Sequence, residues 1–386
     1  MRSTTALVVA ALTVTGGASA LALAGGGGIS FGSDWDHGSH HAGPDSARVE
    51  AFLGALHATA PMVCEMVTDQ LGNFWSSEGD DGIGSLADAS RNWEPARDSL
   101  SSPVNDAAAR RRLARALGDE DPCVRRAAAK MLGRSGALAA AALHDALRAS
   151  APRVREAALL ALGHAELPDF YDEIVSATRD NDPAVVAMAT WALGELERPA
   201  AIGRLGELVS SREVRVRRAA AWGIGQLEDP RGVALVEPLL RDGDVTTRVV
   251  AAEALGDIES ATAAPALAAA LKDADLRVRC AAARALGELD DLERAPQELI
   301  DALGSGDLSL RHAAAEALGE IHDVRAVGAL GKALDESDVE TRRAVVHALA
   351  EIEDVSTVPY LLRAIKDSDP EIRKIAVEAL GDRKDK

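Results

Sequence analysis

Three histidines fall within five residues, His37, His40 and His41, just after Asp34 and Asp36. Imidazole and carboxylate ligands in such a run can bind a transition metal. Holding a metal also needs a scaffold that fixes the ligand geometry, and residues 25–44, which open on four glycines, offer none. A solvated linker is the expectation there. Phosphate loops of the form G-x-x-x-x-G-K-S/T and the zinc pair H-E-x-x-H do not occur in the sequence, and the G-x-S-x-G match at Gly28-Ile29-Ser30-Phe31-Gly32 falls in the glycine-rich linker rather than on the strand-to-helix turn a serine elbow needs. His312 and His347 stand singly on separate segments of helical pattern, without convergent partners. The chain is therefore expected to carry no catalytic residue, no metal ligand and no cofactor. Its cysteines are Cys64, Cys123 and Cys280, an odd number, so at most one intrachain pair can form. Cys280 lies in the middle of a helical pattern, which makes Cys64 and Cys123 the expected couple.

The elements behind these residues are read from one phrase, roughly V-R-x-x-A-A-x-A-L-G, that returns every 30 to 32 residues from about residue 105 onward. Nine copies run from Val124-Arg125 to Ile372-Arg373, each following a second apolar segment such as Val355 to Ile365 across an acidic turn such as Asp367-Ser368-Asp369-Pro370. The unit is helix, turn, helix, with proline at the start of the second helix and glycine after its end, the known asymmetry of helix termini. Alanines at the fourth, fifth and seventh places after the leading valine let backbones approach closely, and leucine fills the seam. A single unit cannot bury such a face, so neighbours must stack.

On these residues the chain resembles the HEAT-like repeat family named after phycobilisome lyases, over about 280 residues. The resemblance implies an all-α fold, an α-solenoid forming a right-handed superhelix of about nine helical hairpins with a short helical N-terminal cap. It also implies two enzymatic alternatives, handling of a bilin chromophore and a di-iron centre of the deoxyhypusine hydroxylase kind. The second is similar in the phrase Arg311-His312-Ala313-Ala314-Ala315-Glu316, but no His-Glu dipeptide occurs in the chain, so that metal site is not carried over.

Projected at about 100° per residue, the seventh position of each second helix points away from the packed face. It reads Lys130, Leu160, Trp191, Trp222, Glu253, Arg284, Glu316, His347 and Glu378. Leu160, Trp191 and Trp222 are expected to grip an apolar side chain or peptide of a protein partner, with Arg284, Glu316 and His347 as a polar continuation on the concave face. A ladder of charge is expected beside it. Acids stand in the turns at 121, 182, 213, 244, 275, 307, 338 and 369, with Ala151 and Val186 as missing rungs. Each arginine is expected to meet the acid of the preceding repeat, Arg217 with Asp182 and Arg279 with Asp244.

The N-terminal residues read differently. Arg2, the apolar run Ala6 to Val14 and the small-residue sites Ala18-Ser19-Ala20 or Ala22-Leu23-Ala24 have the pattern of a secretory signal peptide over residues 1–24, so a periplasmic or extracellular protein is expected, with no membrane insertion after cleavage. The linker at 25–44 is followed by a helical segment at 45–104, with helices expected at Ser46 to Ala58 and Met62 to Leu71. The repeats then occupy residues 105–386. A net charge of −19 and a pI near 4.9 repel phosphate backbones and anionic membranes, which leaves a protein or peptide as the expected partner and excludes nucleic acid.

Overall fold

The computed structural model describes residues 44–57, 103–165, 167–335 and 338–382. The residues expected to form a signal peptide, nearly all of the expected linker and the helix expected at Met62 to Leu71 lie outside them. Apart from one isolated bridge between Ser260 and Asp290, the described residues form helices and turns, as the repeat phrase requires. None of the described helices is long and apolar enough to cross a membrane.

Two compact units divide the chain, Met1–Ala192 and Leu193–Lys386. The first holds α1 (Ser46–Leu56), α2 (Ala107–Ala116), α3 (Pro122–Gly133), α4 (Ala140–Leu147), α5 (Pro152–Gly163), α6 (Tyr171–Ala177) and most of α7 (Pro183–Glu195). The second holds α8 (Ile202–Leu208), α9 (Val214–Gly225), α10 (Gly232–Val236), α11 (Val245–Asp257), α12 (Ala264–Ala270) and α13 (Leu276–Gly287). It continues with α14 (Gln297–Ala302), α15 (Leu308–Glu320), α16 (Val327–Ala333), α17 (Val339–Glu351), α18 (Val358–Ala364) and α19 (Pro370–Asp382). Within each unit a short first helix packs on a longer second one, and successive second helices pack on each other, α3 on α5 in the first unit and α11 on α9 and α13 in the second.

An acid caps most of the second helices, the exceptions being α5, which follows Ala151, and α9 and α15, where Glu213 and Asp307 make no cap bond. Asp121 Oδ1 accepts the Cys123 amide at 2.8 Å, Asp244 accepts that of Thr247 at 2.7 Å and Asp275 that of Arg277 at 2.9 Å, satisfying amides the helix cannot pair itself. Proline at the first position of α3, α5, α7 and α19 costs no hydrogen bond there. Leucines at helical spacing then fill the seams, Leu132, Leu159 and Leu162 in the first unit and Leu255, Leu286, Leu318 and Leu349 in the second, all fully buried. Each contributes about 2 kcal/mol.

The glycine ending the phrase lies inside its helix, as the last helical residue of α3, α5, α9 and α13, and is not a left-handed cap. Among the described glycines only Gly136 has a positive φ, 52°, and the left-handed position falls on Glu197, Glu228, Glu259, Asp291 and His322 instead. The repeat glycines serve close approach. A Cβ on Gly287 would stand 2.9 Å from Ala317 Cα, and one on Gly225 3.0 Å from Ala254 Cα, so successive second helices touch through bare backbone and alanine.

The charge ladder exists but runs forward. Arg155 meets Asp180 at 2.7 Å, Arg217 meets Asp242 at 2.7 Å, Arg248 meets Asp273 at 2.8 Å, Arg279 meets Asp307 at 2.8 Å and Arg342 meets Asp367 at 2.9 Å. Arg217 therefore pairs with Asp242 rather than Asp182, and Arg279 with Asp307 rather than Asp244. Each partner belongs to the following repeat, and in four of the five it is the acid two residues before the helix cap. The cause is local. The cap acid is turned onto its own helix amides, while NH1 of the arginine is fixed by two carbonyls of its own turn, as Arg217 is by Ser211 and Arg212. The remaining guanidinium edge points toward the next turn.

α1 covers the first repeat, within the bounds expected from sequence to two residues. Asp45 caps it by accepting the Arg48 amide at 2.9 Å. Val49, Leu53 and Leu56 are buried where it packs on α2 and α3, and Glu50 pairs with Arg112.

Candidate interaction surface

The seventh position of the second helices behaves differently in the two units. In the first, Lys130 is 1% exposed, Leu160 6% and Trp191 2%. The Trp191 ring lies directly on Gly163, in the space a Cβ would take, and meets the His164 ring edge-on at 5.4 Å between centroids. Leu160 and Trp191 were expected to be open to a partner; both are packing residues. For Trp191 the reason is the phrase glycine, whose bare backbone makes a seat for the large side chain of the next repeat. Burial, then the charges of Lys130 and Arg134, pull His164 down to a pKa of about 4 and keep it neutral at physiological pH.

In the second unit Trp222 is half-buried, its ring against Gly194, where a Cβ would stand 2.9 Å away. From Glu253 on, the row is exposed: Glu253, Arg284, Glu316, His347 and Glu378. Glu316 lies 3.1 Å from His312 on its own helix.

A second row was missed. One turn further along each helix stand Asp257, Glu288, Glu320 and Glu351, all exposed, which the i, i+4 spacing from Glu253, Arg284, Glu316 and His347 places on the same face. The available signal was the acid that follows the phrase glycine. Asp257 Oδ2 lies over Gly225, near enough that a Cβ there would stand 2.9 Å from it, and the Gln226 amide donates to it at 3.5 Å. Loss of hydration among its neighbours, then the charges of Glu288, Glu228 and Glu259, push Asp257 up to about 6. Glu253 and Glu288 are raised too, by partial loss of hydration where neighbouring side chains close around their carboxyls, against the opposing charge of Arg284.

The family model of HEAT repeats matches residues 98–163, 140–225, 171–247, 233–319 and 327–386. The chain belongs to the HEAT-repeat family. Within this HEAT-repeat protein, residues 310–336 also match the PBS lyase HEAT-like repeat. No curated protein sequence matches it significantly. Among solved structures, Kap95p bound to RanGDP superposes with a TM-score of 0.52 at 14% identity, over 88% of this chain and 51% of that one. An engineered protein gives 0.46 at 22% identity, over 87% and 98% of the two chains. The CpcE and CpcF complex of phycocyanin lyase from Nostoc sp. PCC7120 gives 0.38 at 24%, over 63% and 94%. These likenesses concern the fold alone.

Among the described residues of this HEAT-repeat protein no three His, Cys, Asp or Glu side chains are placed to hold a metal ion. His37, His40 and His41 lie outside them. Cys123 is disulfide-bonded, Cys280 is a free buried thiol pushed up by burial, and Cys64 lies outside the described residues. The second unit thus offers rows of exposed acids broken by Arg284 and His347, a surface suited to polar and ionic contacts.

Proposed function

We propose that this HEAT-repeat protein is a secreted or periplasmic interaction scaffold that holds a protein or peptide partner on the exposed second-helix face of its C-terminal unit. The observation that supports this is the row Glu253, Arg284, Glu316 and His347, long polar side chains exposed on successive repeats whose cores are closed by alanine and leucine. The packing makes no use of these side chains, and a face of this kind is where repeat stacks bind. Of the six residues expected to form the site, Arg284, Glu316 and His347 remain its centre, Trp222 stands at its margin, and Leu160 and Trp191 drop out as core.

The compartment is supported by the signal-like residues 1–24 and by the bridge at Cys123, since disulfides persist in oxidising surroundings. Acidic charge continues to argue against nucleic acid.

The test is capture from the source cell envelope with the native chain beside an Arg284→Glu, Glu316→Lys, His347→Glu variant, with circular dichroism to show equal helicity. A protein retained by the native chain and lost by the variant supports the reading. Equal retention by both removes these residues from the site, and no retained protein defeats the scaffold reading.

A further inference from the structure

One place in the repeat phrase is closed on four successive second helices and open on the fifth. Ala252 on α11, Ala283 on α13, Ala315 on α15 and Val346 on α17 are fully buried, whereas Val377, in the same place on α19, is 58% exposed. The phrase leucine follows suit, Leu349 being fully buried and Leu380 only half-buried. The first helices show the same change. A Cβ on Gly331 of α16 would run into the Tyr360 ring of the next repeat, and one on Gly206 of α8 would stand 3.0 Å from Leu235 of the next repeat. The corresponding residue of α18 is Leu362, 49% exposed. A repeat face turned to solvent is ordinarily polar; this one is apolar at its centre.

Two cations flank it, and an earlier repeat shows what such cations take. Lys272, just after α12, reaches Glu298 at 3.0 Å, and Arg279 on α13 reaches Asp307 at 2.8 Å, both acids lying on the repeat that follows. Lys366 and Arg373 stand in the same two places after α18 and on α19. NH1 of Arg373 is held by the main-chain oxygens of Asp367 and Ser368, each at 2.8 Å, as NH1 of Arg279 is held by those of Asp273 and Ala274. The guanidinium edge of Arg279 left over is the one that meets Asp307. On Arg373 that edge meets no carboxylate among the described residues, and Lys366 is exposed.

We infer that the outer side of α18 and α19 is a docking surface for an acidic amphipathic helix of a partner protein. Apolar side chains of that helix cover Leu362, Val377 and Leu380, and its carboxylates take Lys366 and Arg373 as Glu298 and Asp307 take Lys272 and Arg279. Charge selects this occupant over a second copy, because two copies meeting through this face would bring two cationic faces together. The surface is separate from the partner site proposed above, whose Arg284, Glu316 and His347 lie on other helices.

Fluorescence anisotropy of the full chain with a stapled helical peptide tests it, the peptide carrying leucine and alanine on one face and glutamate on both flanks. Saturable binding is expected, weaker by about tenfold or more for the Lys366→Glu, Val377→Asp variant, which alters only exposed side chains. The Arg284→Glu, Glu316→Lys, His347→Glu variant should bind the peptide as the native chain does, and the same peptide with lysine in place of glutamate should bind at least tenfold more weakly. Circular dichroism shows whether the variants keep native helicity. No saturable binding by the native chain overturns the inference, as does equal binding by the Lys366→Glu, Val377→Asp variant or of the lysine peptide. A dimer of the native chain in sedimentation that the same variant abolishes assigns the face to a second copy and overturns it as well.

Discussion

Arg217 and Asp242 join consecutive repeats: Nε of the arginine lies 2.7 Å and its NH2 2.9 Å from the two carboxylate oxygens, with the side chains only 16% and 8% exposed. The geometry is bidentate and largely shielded, the arrangement in which an ion pair contributes measurably. Asp242 also accepts the amide of Asp244 at 2.8 Å, a bond that Ser211 makes to Glu213 at 3.2 Å in the preceding turn. Asp242→Ser therefore removes the ion pair and keeps the turn. A double-mutant cycle of Arg217→Ala and Asp242→Ser, read by urea unfolding, is expected to give a coupling of about 1–3 kcal/mol. Its hydrogen bonds from Arg217 hold the Asp242 carboxyl below the usual aspartate range. The stabilisation is thus present at neutral pH and lost as acid protonates the folded carboxylate, and the coupling should vanish there.

The phrase glycine predicts opposite signs at two copies of one sequence position. Alanine in a helix interior is ordinarily about 1 kcal/mol better than glycine. At Gly287 the new methyl would stand 2.9 Å from Ala317 Cα, a backbone atom that cannot swing aside. Gly287→Ala is therefore expected to lose about 1–3 kcal/mol. At Gly381 nothing lies within 4 Å, and Gly381→Ala is expected to gain up to about 1 kcal/mol. Thermal unfolding of the two variants decides, and equal signs would contradict the close-approach role.

The helices and their caps were legible because they depend on local chemistry: an acid, a proline and then alanines and leucines at helical spacing. The ladder was only half legible. Several turns carry two acids in the same spacing, Asp180 and Asp182, Asp242 and Asp244, Asp273 and Asp275, Asp367 and Asp369, and sequence alone does not say which one the cap consumes. The row at the seventh position failed at Leu160 and Trp191 for a related reason. Angular projection shows which side of a helix a residue occupies, but at Trp191 the large ring folds back onto Gly163 of the preceding repeat, a contact that helix geometry alone does not reveal. Glu253, Arg284, Glu316 and His347 are charged or polar and stay in solvent, so for them projection sufficed.

Glu228 holds a φ of 48° just after α9, where an L side chain is strained and glycine is not. Such a conformation costs roughly 1–2 kcal/mol. Glu228→Gly also removes one of the charges acting on Asp257. The variant should be more stable than the native chain by about 1 kcal/mol in chemical denaturation, and a loss of stability would show that the Glu228 side chain makes a contact worth more than the strain.

Asp257 gives the second unit a pH dependence opposite to that of the ladder. Its pKa is raised to about 6 by loss of hydration and by the charges of Glu288, Glu228 and Glu259, so the folded chain binds this proton more readily than the unfolded chain does. A raised carboxylate destabilises the fold when ionised, and stability should therefore rise as the pH falls from about 7 toward about 5. The side chain is in contact with solvent, and screening limits the gain to roughly 1 kcal/mol. Asp257→Asn, which mimics the protonated form, should raise the melting temperature at neutral pH and flatten this part of the profile. A variant with the native slope would place the dependence on other groups.

The cysteines make a count that needs no structure of the N-terminal segment. Three are present, Cys123 is bridged and Cys280 is free and fully inside α13. If the bridge is within the chain, unfolding without reductant should expose one thiol to alkylation, at Cys280, and prior reduction should raise the count to three. Before unfolding, Cys280 should react slowly, because it is buried and burial also raises its pKa and starves it of thiolate. Mass spectrometry of the alkylated chain reads all three states. A bridge to a second chain would instead leave two thiols per chain and a dimer on a non-reducing gel, whereas three thiols without reductant would remove the disulfide and with it one of the two supports for an oxidising compartment.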